Sequence, residues 1–186
     1  MDTITPVLNQ TSFRGRDDDV GLNVDTWNGG GGLDTNWTQL VDVNFRVRFV
    51  LDETAGGEAK NKAYQLQFNY DVDGFTPITA ATKVQYADTT EYINLAATSQ
   101  VIGAGTFTAG DGVDNTDRTG IITLLSEETE IEFCLTIDSS QVDDAKSFGL
   151  RCYNVTDGAW LDSYVTPLVT VDKPAGGADK RVMVVS

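Results

Sequence analysis

Three groups of aspartates, two cysteines and three tryptophans are the residues of this chain whose types and spacing could do chemistry. The aspartates come as Asp17-Asp18-Asp19, as Asp71 with Asp73, and as Asp111, Asp114 and Asp117. Calcium is the ion such groups would hold, since it takes about 6–8 oxygens at about 2.3–2.6 Å, often from carboxylates in one tight loop. The every-third spacing of Asp111, Asp114 and Asp117 does not follow the D-x-D-x-D-G order of an EF-hand, and Asp71-Val-Asp73-Gly74 reads as a hairpin turn. A solvated acidic loop is the plainer reading, so no cofactor is expected, with calcium at Asp111, Asp114 and Asp117 as the minor alternative.

Catalytic sets are harder to find. The chain has no His, which removes the commonest general base and the commonest metal ligand. It also lacks a G-x-S-x-G elbow, an H-E-x-x-H helix and a P-loop. A glycosidase needs only two carboxylates, but these sit in a cleft with aromatic platforms. Trp27, Trp37 and Trp160 are dispersed in sequence; they could align as a sugar-binding strip, although core packing is the plainer expectation. The expectation is a protein that is not an enzyme.

Cys134 and Cys152 are too few for a disulfide framework or a zinc site. In IEFCLTI the bulky residues Ile131, Phe133, Leu135 and Ile137 share one face, which puts Cys134 on the other. In SFGLRCY, Cys152 shares the inward face with Phe148 and Leu150. A disulfide needs both sulfurs on one side and Cα atoms about 6 Å apart, so two free thiols are expected.

The elements that must position these residues alternate with period two. Segment 45–51 puts Phe45, Val47, Phe49 and Leu51 on one face and Arg46 and Arg48 on the other. Segment 63–70 turns Tyr64, Leu66, Phe68 and Tyr70 inward, and 130–137 turns Glu130 and Glu132 outward. Such alternation marks strands with one buried face. If the arginine and glutamate strands are neighbours, a cross-strand ladder at the surface is expected, worth about 0.2–1 kcal/mol per pair. Further strand candidates are 11–15, 20–27, 38–43, 75–79, 83–87, 100–108, 119–125, 147–155 and 164–171. Between them lie Gly and Asp turns, the polar connection 52–60 and the acidic loop 109–118. No window is convincingly helical. The fold class is all-β: a two-sheet antiparallel sandwich, wired as a jelly roll or immunoglobulin-like, with extended arms at both ends.

With 13 Lys+Arg against 28 Asp+Glu, the net charge of −15 repels a phosphate backbone, so nucleic acid is not an expected partner. Apolar runs are strand-sized and no signal peptide is visible, so no membrane partner is expected either. Residues 11–172 read as the sandwich domain, 1–10 as an N-terminal arm and 173–186 as a linker and arm strand. The arms carry Ile4, Val7 and Leu8 at one end and Val182, Met183, Val184 and Val185 at the other, after the Pro/Gly-rich KPAGGADK. A tethered apolar strand adds back to its own sheet or augments a neighbour's.

The segment FRVRFVLDETAGGEAKNKAYQLQFNYDVDGFTPIT resembles a β-domain recurrent in proteins of tailed bacteriophages. There an R-x-R-F strand precedes a Gly-containing loop, a Y-x-L-Q-(F/Y) strand and a hairpin ending in T-x-(I/T/V). TSFRGRDDDVGLNVDTW and TNWTQ resemble the opening of related viral and bacterial surface domains, although Gly15 after Arg14 and the glycine run 29–32 are unusual. ETEIEFCLTI and YVTPLVTV fit the same pattern, which covers most of 11–172. The resemblance implies a virion surface component, made in the host cytoplasm: a head decoration (cement) protein or a tail-associated adhesion module. No family site residue transfers. The leading expectation is a non-enzymatic capsid decoration protein whose arms contact the major capsid protein and copies of itself as an oligomer. The alternative is a tail or fibre module that binds a cell-surface glycan through one or more of Trp27, Trp37 and Trp160 and loop carboxylates, with or without calcium.

Overall fold

A computed structural model describes residues 4–175 apart from 26, 28–31 and 72. Val182, Met183, Val184 and Val185 therefore lie outside the described residues. Among those described, the strands in chain order are β1 (Leu8–Asp17), β2 (Trp37–Leu40), β3 (Phe45–Glu53), β4 (Glu58–Lys62) and β5 (Tyr64–Tyr70). Then come β6 (Thr76–Pro77), β7 (Val84–Tyr86), β8 (Ala96–Ala97), β9 (Asp111–Val113) and β10 (Ile122–Leu125). The last are β11 (Glu128–Ile137), β12 (Ser147–Asn154), β13 (Ala159–Trp160), β14 (Ser163–Tyr164) and β15 (Leu168–Asp172).

One sheet runs β14-β1-β3-β11-β9-β8, with β7 also on β11; the other runs β2-β15-β12-β5-β6, with β13 on β12. A separate ribbon joins β4 to β10. The protein is an all-β sandwich. Its long pairs are antiparallel, while β1–β14, β11–β9 and β15–β2 are parallel, a departure from the wholly antiparallel expectation. The departure has a topological reason: each parallel pair joins strands that other strands separate along the chain, as a crossover requires.

The core is the one that the alternation dictates. Phe45, Val47, Phe49 and Leu51 of β3 and Ile131, Phe133, Leu135 and Ile137 of β11 are fully buried, facing Tyr64, Leu66, Phe148 and Leu150 of the second sheet. Each such side chain contributes about 1.5–3 kcal/mol by leaving water. Trp37 closes one end, with its ring centroid 6.3 Å from those of both Phe13 and Phe45. A Cβ on residue 15 would lie 2.6–2.8 Å from that indole, so β1 admits only glycine where the tryptophan crosses it.

Two strand expectations fail: most of 20–27 and 100–108 runs as irregular loop. Conversely, the polar connection contains the start of β4 and the acidic loop contains β9. The N-terminal boundary moves as well. Leu8 starts β1 and is 7% exposed in the core, so its side chain is not part of a free arm.

Candidate functional site

The outer face of the first sheet departs most from expectation. Arg46 and Arg48 do neighbour Glu130 and Glu132, because β3 and β11 pair with Glu132 opposite Arg48 and Cys134 opposite Arg46. However, all four side chains are at 0% exposure, and Arg16 of β1 joins them at 1%. The expected surface ladder is a buried ion network. Glu132 Oε1 accepts from Arg16 Nη2 at 2.5 Å and Arg46 Nη1 at 2.9 Å, and its Oε2 accepts from Arg48 Nε at 2.8 Å. Glu130 Oε2 accepts from Arg48 Nη1 at 3.0 Å, and Asp18 lies 3.0 Å from Arg46 Nε. Three guanidinium groups thus meet three carboxylates.

Two loops cover this network and are held by it. Arg16 donates to the carbonyls of Leu22 and Val24 at 2.6 Å, Arg46 to Val20 and Arg48 to Leu22. From the other side, Glu130 Oε1 accepts the backbone N–H groups of Val101, Ile102 and Gly103 at 2.6–2.8 Å. Burial lowers the pKa of Arg16, and the adjacent Glu132 opposes that shift. The two misread strand segments are therefore lids, fixed by charge-assisted hydrogen bonds and not by a ladder.

The three tryptophans fall in three different layers, so the structure does not bring them together as a strip. Trp27 lies over Arg14 and Arg16 on the outside of the first sheet, at 5.4 and 5.3 Å from ring centroid to guanidinium carbon. Trp37 is in the core at 7% exposure, while Trp160, at 68%, stands on the outside of the second sheet. The aspartates are also dispersed. Asp111 accepts from Gly120 N at 2.8 Å, and Asp117 is bound twice by Arg118 at 2.9 Å, which holds its pKa below the usual carboxylate value. Burial raises the pKa of Asp114, with Asp88 adding to it. Among the described residues no group of three or more His, Cys, Asp or Glu could hold a metal ion. Cys134 and Cys152 are free and buried, and burial raises both thiol pKa values.

At the amino end, residues 4–7 lie across the turn after β3. Val7 N donates to Glu53 Oε1 at 3.1 Å, and a Cβ on Gly57 would come within 2.6 Å of Ile4 O and Pro6 N. Glu53 is 1% exposed and also accepts from Ala55, Gly56 and Ser126 N–H groups. Burial pushes its pKa up, but these four backbone donors outweigh that and hold it below the usual value. Ile4 alone of the expected N-terminal contact residues presents a well-exposed side chain, at 61%.

The second sheet ends on β2. Among the described residues β2 pairs with β15 on one side and with no strand on the other. A cleft of about 510 Å³ lies there, lined by Asp17, Asn36, Trp37, Thr38, Gln39, Leu40 and Asp172. Thr38 and the 39%-exposed Leu40 present outward, while Trp37 and Gln39 point in. Chemically this is a row of backbone donors and acceptors beside a shallow trough, the arrangement that accepts an added strand. Sequence patterning found β2 but could not show that it is an edge. In comparisons with known proteins, the sequence matches no family model, and no curated protein matches it.

Proposed function

We propose that the protein is a non-enzymatic structural component of a virion, which decorates the outer surface of a tailed-phage capsid and stabilises it through strand-like contacts. Its partners on this reading are the major capsid protein and further copies of itself. The observation that carries the reading is the edge of β2 beside its cleft, unpaired among the described residues, near the point where β15 ends and the chain continues into 173–186. The sequence beyond Asp172 combines a Pro/Gly-rich stretch with the apolar run Val182-Met183-Val184-Val185, a composition suited to adding a strand to such an edge. Ile4 supplies a second exposed apolar contact at the amino end. Repetition over many symmetric sites converts modest contacts into tight decoration.

The test is co-sedimentation with undecorated capsids. Deletion of 173–186 and, separately, Leu40→Lys are expected to leave a folded protein that no longer sediments with particles. Both act at exposed or appended positions, and lysine blocks an edge without entering the core. If both variants decorate particles as well as the full chain does, the proposal is wrong.

A further inference from the structure

We propose that the outer face of the second sheet, from Trp160 to the cleft beside Gln65, binds a neutral polysaccharide chain; this goes beyond the decoration role and does not rest on it. Trp160 is 68% exposed on a strand of two residues, an exposure unusual for so large an apolar side chain. Nor does it stand alone. The Arg151 guanidinium lies 5.0 Å from its ring, 4.0 Å from that of Phe75 and 5.3 Å from that of Tyr164. Gln67 Oε1 accepts from Arg151 Nε at 3.0 Å and Nη2 at 2.9 Å, which fixes the guanidinium against the rings.

Strand register shows how far the platform extends. Tyr153 pairs with both Trp160 and Gln65, so these three form one row across β13, β12 and β5. Arg151, Gln67 and Pro77 form the next row. Strands lie about 4.8 Å apart, so the row from Trp160 to Gln65 covers about 10 Å. Gln65 and Pro77 also line a cleft of about 350 Å³, together with Thr79, Tyr86, Asn115, Thr116 and Asp117. That volume lies in the usual range for a small-ligand site.

The chemistry fits sugar rings. An aromatic face takes the apolar face of a pyranose, and the amides of Gln65 and Asn115 can both donate to and accept from hydroxyl groups, while the buried Gln67 is committed to Arg151. Charge selects among polymers: a protein at −15 repels polyanions at long range, and the rings and Gln67 already engage Arg151. A neutral chain meets no such penalty.

The experiment is calorimetric titration of the full chain with neutral gluco-, manno- and xylo-hexaoses, with an oligogalacturonate as the acidic comparator, followed in parallel by tryptophan fluorescence. At least one neutral hexaose is expected to bind, with a fluorescence change. Trp160→Ala and Gln65→Ala should each weaken binding at least tenfold with unchanged circular dichroism; Asn115→Ala replaces any variant that fails to fold. Silence with all neutral hexaoses overturns the proposal, as does binding that is indifferent to these substitutions. Binding of the acidic oligomer alone overturns the neutral class. A fall in oligomeric state of Trp160→Ala by sedimentation velocity, without any sugar binding, assigns the face to contacts between copies and overturns it as well.

Discussion

Replacing Glu132 by Gln probes the buried ion network that holds the covering loops onto the first sheet. Glu132 is fully buried and receives hydrogen bonds from Arg16, Arg46 and Arg48. The substitution keeps the volume but leaves three guanidinium groups with two carboxylates, Asp18 and Glu130, and it turns one acceptor into a donor aimed at an arginine. Breaking a buried ion pair by removing one partner costs about 3–5 kcal/mol, against about 0.2–1 kcal/mol for an exposed pair. For a chain of this length the larger cost corresponds to a fall in Tm of roughly 6–20 °C. Thermal and urea unfolding, followed by near- and far-ultraviolet circular dichroism, measure it. Adding Arg16→Leu restores the charge balance, and a double-mutant cycle should show recovery of part of the loss. A Glu132→Gln protein within about 1 kcal/mol of the parent would refute the buried network and return these residues to a hydrated surface ladder.

Three further outcomes follow from the same geometry. Gly15→Ala places a Cβ within 2.6 Å of the Trp37 ring, so it should destabilise by about 1–3 kcal/mol and alter the near-ultraviolet tryptophan signal; an unchanged signal and stability would show that the ring does not rest there. Cys134 and Cys152, buried and with raised thiol pKa values, should resist a thiol reagent in the native state and both react in denaturant; rapid labelling of either in the native protein would contradict their burial. Glu53 has a folded pKa below its unfolded one, so its contribution is full above the ordinary carboxylate range and is lost as pH falls through the folded value. Glu53→Gln should therefore be less stable than the parent at pH 7, and the gap should close on acidification; a gap that persists well below the carboxylate range would exclude the ionised form as its cause.

Much of the sandwich can be read from residue order alone, because one physical rule, the two-residue period of a half-buried strand, governs β3, β5, β11 and β12. The same rule placed Cys134 and Cys152 on different faces. It fails where a second layer covers the outside of a sheet. Arg46, Arg48, Glu130 and Glu132 have the pattern of solvated positions, and only their partners, Arg16 and Asp18 with the carbonyls of 20–24, distinguish a buried network from a ladder. Those partners come from distant segments, so periodicity carries no trace of them; the near match of arginines to acids in FRGRDDD, FRVRF and EIEF was the available hint. The tryptophans show the same limit. Trp37 is core because Gly15 admits it, Trp27 is a lid on arginines, and Trp160 is exposed, distinctions that depend on which layer each loop crosses.

Backbone hydrogen exchange of β2, measured in the free protein and in decorated particles, tests the strand-addition account most directly. Amides of Trp37–Leu40 that face away from β15 should exchange readily in the free protein and become strongly protected on particles. Protection confined to other surfaces, with β2 exchanging as fast on particles as in solution, would contradict it.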